Sequence, residues 1–174
     1  MSQRGYDLEF MRRTAENHER YFVPSIGAPV AADLVKAASL RPGERVLDAA
    51  CGTGVVTKLA AERVAPGGTL AGLDPNPAML AVARATTRSD VSIDWHEAPA
   101  EDLPFPDESF DAVLCGMGLQ FFADREAGLR EFHRRFGAPR RTLRRHVAGI
   151  ATSRGVPVAI RLEHAAGGRG GAGR

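Results

Sequence analysis

At 174 residues, with 44% apolar and 25% charged residues, the chain suits one soluble globular domain able to bury a real core. No apolar run reaches the roughly 18–20 residues that a bilayer span needs, and the N-terminus MSQRGYDLEF has no apolar stretch of a secretory signal. Cys51 and Cys115 are the only cysteines and lack metal-ligand spacing, so reduced thiols in a cytoplasm are expected and no metal site is. The net charge of +2 hides an asymmetry: through His133 there are 13 Lys+Arg against 20 Asp+Glu, and from Arg134 onward 10 Arg against one acid, Glu163. A basic tail of this kind suggests nucleic acid, but its residues allow another origin.

Residues from about Tyr6 to Tyr21 predict a polar N-terminal helix. Pro29 can start a second, running to about Ser39, because its missing N–H has no partner in a first turn anyway. Arg41-Pro-Gly-Glu44 is a turn. Arg45–Ala50 reads as a short strand buried on both faces, and Cys51-Gly-Thr-Gly54 as a loop. A helix then carries Val55, Leu59 and Val64 and stops at Pro66-Gly-Gly68. Thr69–Asp74 is a second buried strand ending on an acid. Asn76 can cap the next helix, with Pro77 in its first turn and Met79, Leu80 and Ala83 on its apolar face. Val91–His96 alternates as a third strand, in which Trp95 reads as core. Residues 98–108 are a loop, Phe110–Cys115 a fourth strand, and Arg125–His133 a helix. Strands alternating with helices predict parallel βαβ units.

The strongest chemical signal is Asp48-Ala-Ala-Cys-Gly52-Thr-Gly54 between a strand and a helix. Gly52 and Gly54 allow a sharp turn and a close ligand approach. Ligands of open α/β sheets lie beyond the carboxyl ends of the strands. Asp74 ends the neighbouring strand, where its carboxylate suits the two hydroxyl donors of a ribose. A dinucleotide site has the same outline, but its fingerprint needs a third glycine where Thr57 stands. An acid at Asp48 would also repel a pyrophosphate, whereas a ligand carrying an ammonium and a sulfonium would tolerate it.

Val46–Gly54 resembles the S-adenosylmethionine-binding motif of class I methyltransferases, and Gly72–Leu80 resembles their ribose-binding segment. Ala100–Phe105 and Ser109–Asp111 resemble the adenine loop and fourth strand. The pattern is most like the ubiquinone/menaquinone-biosynthesis type and its small-molecule relatives, and covers about residues 21–133. The resemblance implies a Rossmann-like, mostly parallel sheet with helices on both faces, S-adenosylmethionine as cofactor and a small-molecule methyl acceptor. It implies that Asp48 and the loop Ala50, Cys51, Gly52 and Gly54 hold the methionine part, and that Asp74 holds the ribose. Pro75 and Met79 would flank the adenine, Met79 reading equally as plain core. The backbone of Ala100 and Glu101 would read its edge, and that of Cys115 would sit near the ammonium. Pro99 departs from the family pattern, in which a polar side chain meets the adenine amine, and Ala50 replaces a common glycine.

Methyl transfer demands no fixed catalytic residue, since the cofactor carries the reactivity. A base would help an acceptor hydroxyl or acidic carbon, and His18 and Tyr21, in an N-terminal helical lid of about residues 1–40, are the candidates. Other functions that the residues leave open are a nucleotide-dependent oxidoreductase and a nucleic-acid-binding protein using the basic tail.

These readings place a cofactor domain over residues 1–135 and an Arg/Gly-rich tail over 136–174. The resemblance implies seven strands, with a Pro-Gly-Gly type of turn and a fifth strand after His133. The residues Phe136-Gly-Ala-Pro-Arg-Arg-Thr-Leu-Arg-Arg-His-Val147 lack strand alternation. Under permitted codons, removing one nucleotide at Phe136 turns them into Leu-Ala-Pro-Arg-Gly-Gly-Arg-Phe-Ala-Val-Thr-Ser, close to that turn and strand. A shifted reading frame is therefore the expectation. An irregular or weakly helical tail would follow from it, with the strand at Val113 left as an unprotected edge, and a chain whose activity is reduced or lost.

Overall fold

The computed structural model describes residues 3–136, 147–151 and 157–161. A six-stranded sheet runs β1 Arg45–Ala49, β2 Thr69–Leu73, β3 Ile93–His96, β4 Ala112–Gly116, β5 Val147–Ala151 and β6 Pro157–Arg161. Its spatial order is β3-β2-β1-β4-β5-β6. The first five strands are parallel, and β6 returns antiparallel along β5. The order reverses between β1 and β4, which opens a crevice at their carboxyl ends.

Strand alternation sorts the core into two layers. Val46, Leu70, Ala112 and Leu114 face α2 (Ala28–Ala38) and α3 (Val55–Val64), against Leu34, Val35, Ala60 and Val64. Leu47, Ala71, Leu73 and Val113 face the other way, against Leu103, Phe110 and Phe132 of α5 (Arg125–Arg135). Continuously buried strands such as Arg45-Val-Leu-Asp-Ala49 are what covering both faces produces.

Helix ends follow from local chemistry. Asn76 Oδ1 accepts the Ala78 N–H at 2.9 Å, opening α4 (Pro77–Thr86) with proline in its first turn. Asp124 Oδ1 does the same for Ala127 at 2.9 Å, opening α5. Arg135 is buried at the far end of α5, where its guanidinium reaches Asp107 at 2.6 Å, Glu131 at 3.0 Å and the Leu103 carbonyl at 2.5 Å. Glu131 in turn accepts the Leu103 N–H at 3.1 Å, so α5 holds the β3–β4 loop through both backbone groups of one residue.

Two expectations are corrected. The N-terminal segment is not two separate helices but one helical run: α1 Gln3–Asn17, a π-helical stretch His18–Gly27, then α2. Pro24 lies inside the run, and wider turns absorb a residue that has no N–H to give and whose ring crowds the preceding turn. The second correction concerns the tail. β4 is not an edge: Val113, Leu114, Cys115 and Gly116 pair with Ala148–Ala151. The arginines obscured two short apolar runs, Val147-Ala-Gly-Ile-Ala151 and Pro157-Val-Ala-Ile-Arg161, and the unpaired groups of β4 are a ready template for such a run. The same sheet thus contains residues on both sides of position 136; Gly167–Arg174 lies outside the described residues. Among the described residues, no helix is long and apolar enough to cross a membrane.

Gly72 illustrates how tightly the sheet is covered. A Cβ there would stand 2.5 Å from the Trp95 ring of neighbouring β3. Gly72→Ala should cost about 1–3 kcal/mol, the scale of overpacking, read as a lower denaturation midpoint at unchanged m-value. Adding Trp95→Leu should recover part of it. A single variant as stable as the wild type would show that the ring moves freely.

Candidate functional site

The crevice at the β1/β4 switch is a cleft of about 860 Å³. Its floor is the end of β1 and the loop behind it. The chain passes there through three left-handed residues, Ala50 (φ 54°), Gly52 (φ 56°) and Gly54 (φ 84°). Two are glycines, for which this is free. Ala50 accepts roughly 1 kcal/mol of strain, and its methyl explains the absence of a side chain at Gly118, where a Cβ would stand 2.4 Å from that of Ala50.

Asp74 organises the neighbouring wall. Its Oδ2 accepts the Gly52 N–H and its Oδ1 the Asn76 N–H, each at 2.9 Å. One carboxylate therefore ties the first loop to the start of α4, and its remaining lone pairs line the cleft. Burial raises the pKa of Asp74, against those two amide bonds and the His18 charge, which lower it.

Asp48 lies deeper and is fully buried. Its Oδ2 accepts the Thr57 hydroxyl at 2.5 Å, while Oδ1 has no partner. Burial pushes its pKa up to about 7; the hydroxyl and amide of Thr57 oppose the shift and nearby Asp74 adds to it. A buried acceptor without a donor, on the wall of a cleft, is a place for a ligand cation or donor.

The rim comes from three segments. Met79 is half-buried and Pro75 exposed on the α4 side, next to Ala100 and Glu101 of the β3–β4 loop. Glu101 Oε1 accepts the N–H groups of Ala123 at 2.7 Å and Asp124 at 3.3 Å, clasping that loop to the segment after β4. Opposite, His18, Phe22, Ile26 and Val30 recur every four residues along the N-terminal run. A period of four outruns the α-helical 3.6, and the wider turns of the π-helical stretch keep these residues on one side. Phe121 and Phe122, just beyond β4, complete an apolar wall.

Of the residues singled out in the sequence, the structure gathers Asp48, Ala50, Cys51, Gly52, Asp74, Pro75, Met79, Ala100, Glu101 and His18 around this cleft. Gly54, Cys115 and Tyr21 are outside its lining. A Cβ on Gly54 would meet the Trp95 ring at 3.1 Å, Cys115 is buried in the second core layer, and Tyr21 is exposed. Both cysteines are buried free thiols, and burial raises their pKa, that of Cys115 to about 12. Residues not foreseen are Thr53 and Thr57 beneath the loop and the aromatic wall of Phe22, Phe121 and Phe122. The four-residue spacing and the aromatic pair beyond a strand end were the available signals. Among the described residues, no group of three or more His, Cys, Asp or Glu could hold a metal.

A family model described as a methyltransferase domain matches residues 47–136, the segment that builds the floor, Asp74 and the β3–β4 loop. The chain belongs to this methyltransferase domain family. It is similar to the ubiquinone/menaquinone biosynthesis C-methyltransferase of Stenotrophomonas maltophilia, at 46% identity over 103 residues, 58% of this chain and 41% of that protein. The 2-phytyl-1,4-naphtoquinone methyltransferase of Synechococcus elongatus is 42% identical over 103 residues, 58% of this chain and 44% of that protein. The chain thus spans less than half the length of these curated relatives. Among solved structures, a SAM dependent methyltransferase from Aquifex aeolicus shares the fold, with a TM-score of 0.62 at 15% identity, over 80% of this chain and 70% of that one.

The raised pKa of Asp48 fixes a sign. Above the unfolded value near 4, the folded state holds a proton that the unfolded state has lost. Stability therefore falls as pH rises from about 4 to 7, by up to ~1.4 kcal/mol per pH unit for one group. Asp48→Asn should flatten this slope and leave the ligand-free protein more stable than wild type at pH 8, in thermal melts across pH 4.5–8. Parallel melting curves of the two proteins at every pH would overturn the assignment.

Proposed function

We propose that the chain binds S-adenosylmethionine in this cleft and transfers its methyl group to an uncharged, largely apolar small molecule. The observation that carries the cofactor reading is the buried, partnerless Oδ1 of Asp48, beside the loop at Gly52 and the lone pairs of Asp74. An ammonium suits the first and a ribose diol suits the second. Gly52 has open space where a Cβ would stand, with only the His18 ring at 3.8 Å, so a ligand can approach its backbone. Met79 offers an apolar flank for the adenine, and Asp74, Asp48 and the Ala50–Gly52 loop would hold the rest. When bound, this cofactor supplies a methyl group on a sulfonium centre. The chain contributes orientation and an apolar wall that keeps water from the reacting atoms.

The lining favours this over a dinucleotide reading. Among the described residues, those of its lining that titrate are His18, Asp48, Cys51, Asp74 and Glu101, with no Lys or Arg among them. Among these residues a pyrophosphate would find three acids and no cation. The same absence argues against a phosphorylated or carboxylate-bearing acceptor. Phe22, Ile26, Val30, Phe121 and Phe122 suit a flat apolar ring, and the quinone rings in the names of the two relatives fit that description. Reduced 2-phytyl-1,4-naphthoquinone is accordingly the first acceptor to assay.

Calorimetry with S-adenosylhomocysteine tests the site. Asp74→Ala should weaken binding by roughly 1.5–3 kcal/mol, the scale of hydrogen bonds to a charged group. Asp74→Asn should be no milder. One amide oxygen cannot receive both backbone N–H groups without turning its NH₂ toward one of them. Tight binding of NAD with no response to S-adenosylhomocysteine, or unchanged affinity in both folded variants, would reject the reading.

A further inference from the structure

We propose that Met117 is the side chain that recognises the methyl acceptor: held in a left-handed backbone conformation just past β4, it meets a flat aromatic ring where the cofactor floor joins the apolar wall. This rests on the methyl-transfer reading above and adds which residue places the ring.

The backbone carries the first argument. β4 ends at Gly116, and the chain runs through Gly116-Met-Gly118 into a 3₁₀ turn, Leu119–Phe121. Packing demands both glycines. A Cβ on Gly116 would stand 2.7 Å from Val56 Cγ2, and one on Gly118 would stand 2.4 Å from Ala50 Cβ. The left-handed residue lies between them, Met117 with φ 63°. That is where glycine is free and a long side chain is strained. The usual choice is inverted: glycine stands at both neighbours, and methionine stands where the backbone favours glycine. Ser39, left-handed at φ 51°, differs in kind, because it closes the end of α2, where such a residue ends a helix. A bulky residue kept against its preference on the wall of a cleft points to a use for its side chain.

The surroundings carry the second argument. Met117 lines the cleft and is half-buried. Gly118, its neighbour on one side, lies against Ala50 of the floor, and Phe121 and Phe122 of the apolar wall follow within five residues. Met117 thus stands at the seam between the part of the cleft that suits the cofactor and the part that suits an apolar ring. Its carbonyl is already taken, since Gln120 Nε2 donates to it at 3.0 Å. That bond ties Met117 to the turn carrying the two phenylalanines and leaves the thioether side chain for a ligand. A thioether is polarizable, unbranched and adaptable, and packs well against aromatic rings. Gln120 is a positioning residue, since it acts through the Met117 carbonyl.

The test uses the whole chain and 2-naphthol as the ring probe. The chain has four methionines, and Met79 and Met117 line the cleft, one toward α4 and one past β4. With carbon-13 methionine methyl groups, assigned through Met79→Leu and Met117→Leu, S-adenosylhomocysteine should shift the Met79 signal. Added to that complex, 2-naphthol should move the Met117 signal upfield by its ring current and leave Met79 nearly still. A naphthol shift confined to Met79, or none on Met117, would overturn the proposal. Met117→Ala and Met117→Gly then separate side chain from backbone. Both should weaken 2-naphthol, followed by its fluorescence, by about tenfold or more, the scale of one lost apolar side-chain contact. Both should keep S-adenosylhomocysteine affinity within about twofold, as expected of separate subsites. The glycine variant should melt higher than the alanine variant, which alone keeps the strained backbone, and it decides the matter if the alanine variant does not fold. Gln120→Leu should weaken 2-naphthol in the wild-type background and cause no further loss in Met117→Gly. Unchanged ring affinity in the folded variants, or equal losses of ring and cofactor, would overturn the assignment. No S-adenosylhomocysteine binding by the wild type would sink the methyl-transfer reading instead, and the naphthol titrations on the free chain would still decide the role of Met117.

Discussion

The site depends on one carboxylate receiving two backbone amides. Asp74 ends β2, and its oxygens hold Gly52 N–H in the β1–α3 loop and Asn76 N–H at the start of α4. Two consecutive βα units are thereby fixed to each other at the level where the strands stop. Hydrogen bonds to a charged acceptor are about twice as strong as neutral ones, and this pair is partly buried, where water competes less. The left-handed backbone at Gly52 is what turns its N–H toward the carboxylate. Without that turn the loop would have no fixed relation to the strand beside it.

The rest of the cleft is assembled by similar single contacts between elements distant in sequence. Glu101 clasps the β3–β4 loop to the residues after β4, and Arg135 with Glu131 holds the same loop from α5. The N-terminal run reaches the floor through His18 and Glu19. Each of these is a charged or buried polar group satisfied by a partner on another element, so it specifies position more than it adds stability. The apolar layers supply the stability, and the polar contacts determine which surfaces meet.

Legibility in the sequence followed the physics of each feature. The strands at Val46, Leu70 and Val113 were plain because continuous apolar runs buried on both faces leave little choice. Asn76 and Pro77 announced α4 by side-chain chemistry that acts within two residues. Asp48, Gly52 and Asp74 stood out because a glycine loop and strand-end acids are local patterns. The π-helical stretch was not legible, since Pro29 read as the start of a separate helix and only packing decides that the run continues. Thr53 and Thr57 were missed because a threonine in a helix start has no pattern of its own, and its partner is Asp48 or His18 from elsewhere. β5 and β6 were missed because tertiary demand, the open side of β4, outweighed the signal of arginine-rich neighbours.

Charge gives the last constraint. Two acids sit at the floor of the cleft with their charges opposed by burial, and among the described residues no cation lines it. A buried floor of this kind is costly to ionise, which is why Asp48 holds its proton to near neutrality. A cationic ligand reverses that balance: it lowers both carboxylates at once, so its binding releases protons and strengthens as pH rises. A neutral product that has lost the sulfonium charge gains less from the same acids than the cation it came from. On the proposed reading, the floor would therefore hold the neutral product less firmly than the positive ligand. That difference arises from burial and two carboxylates alone, with no moving part required.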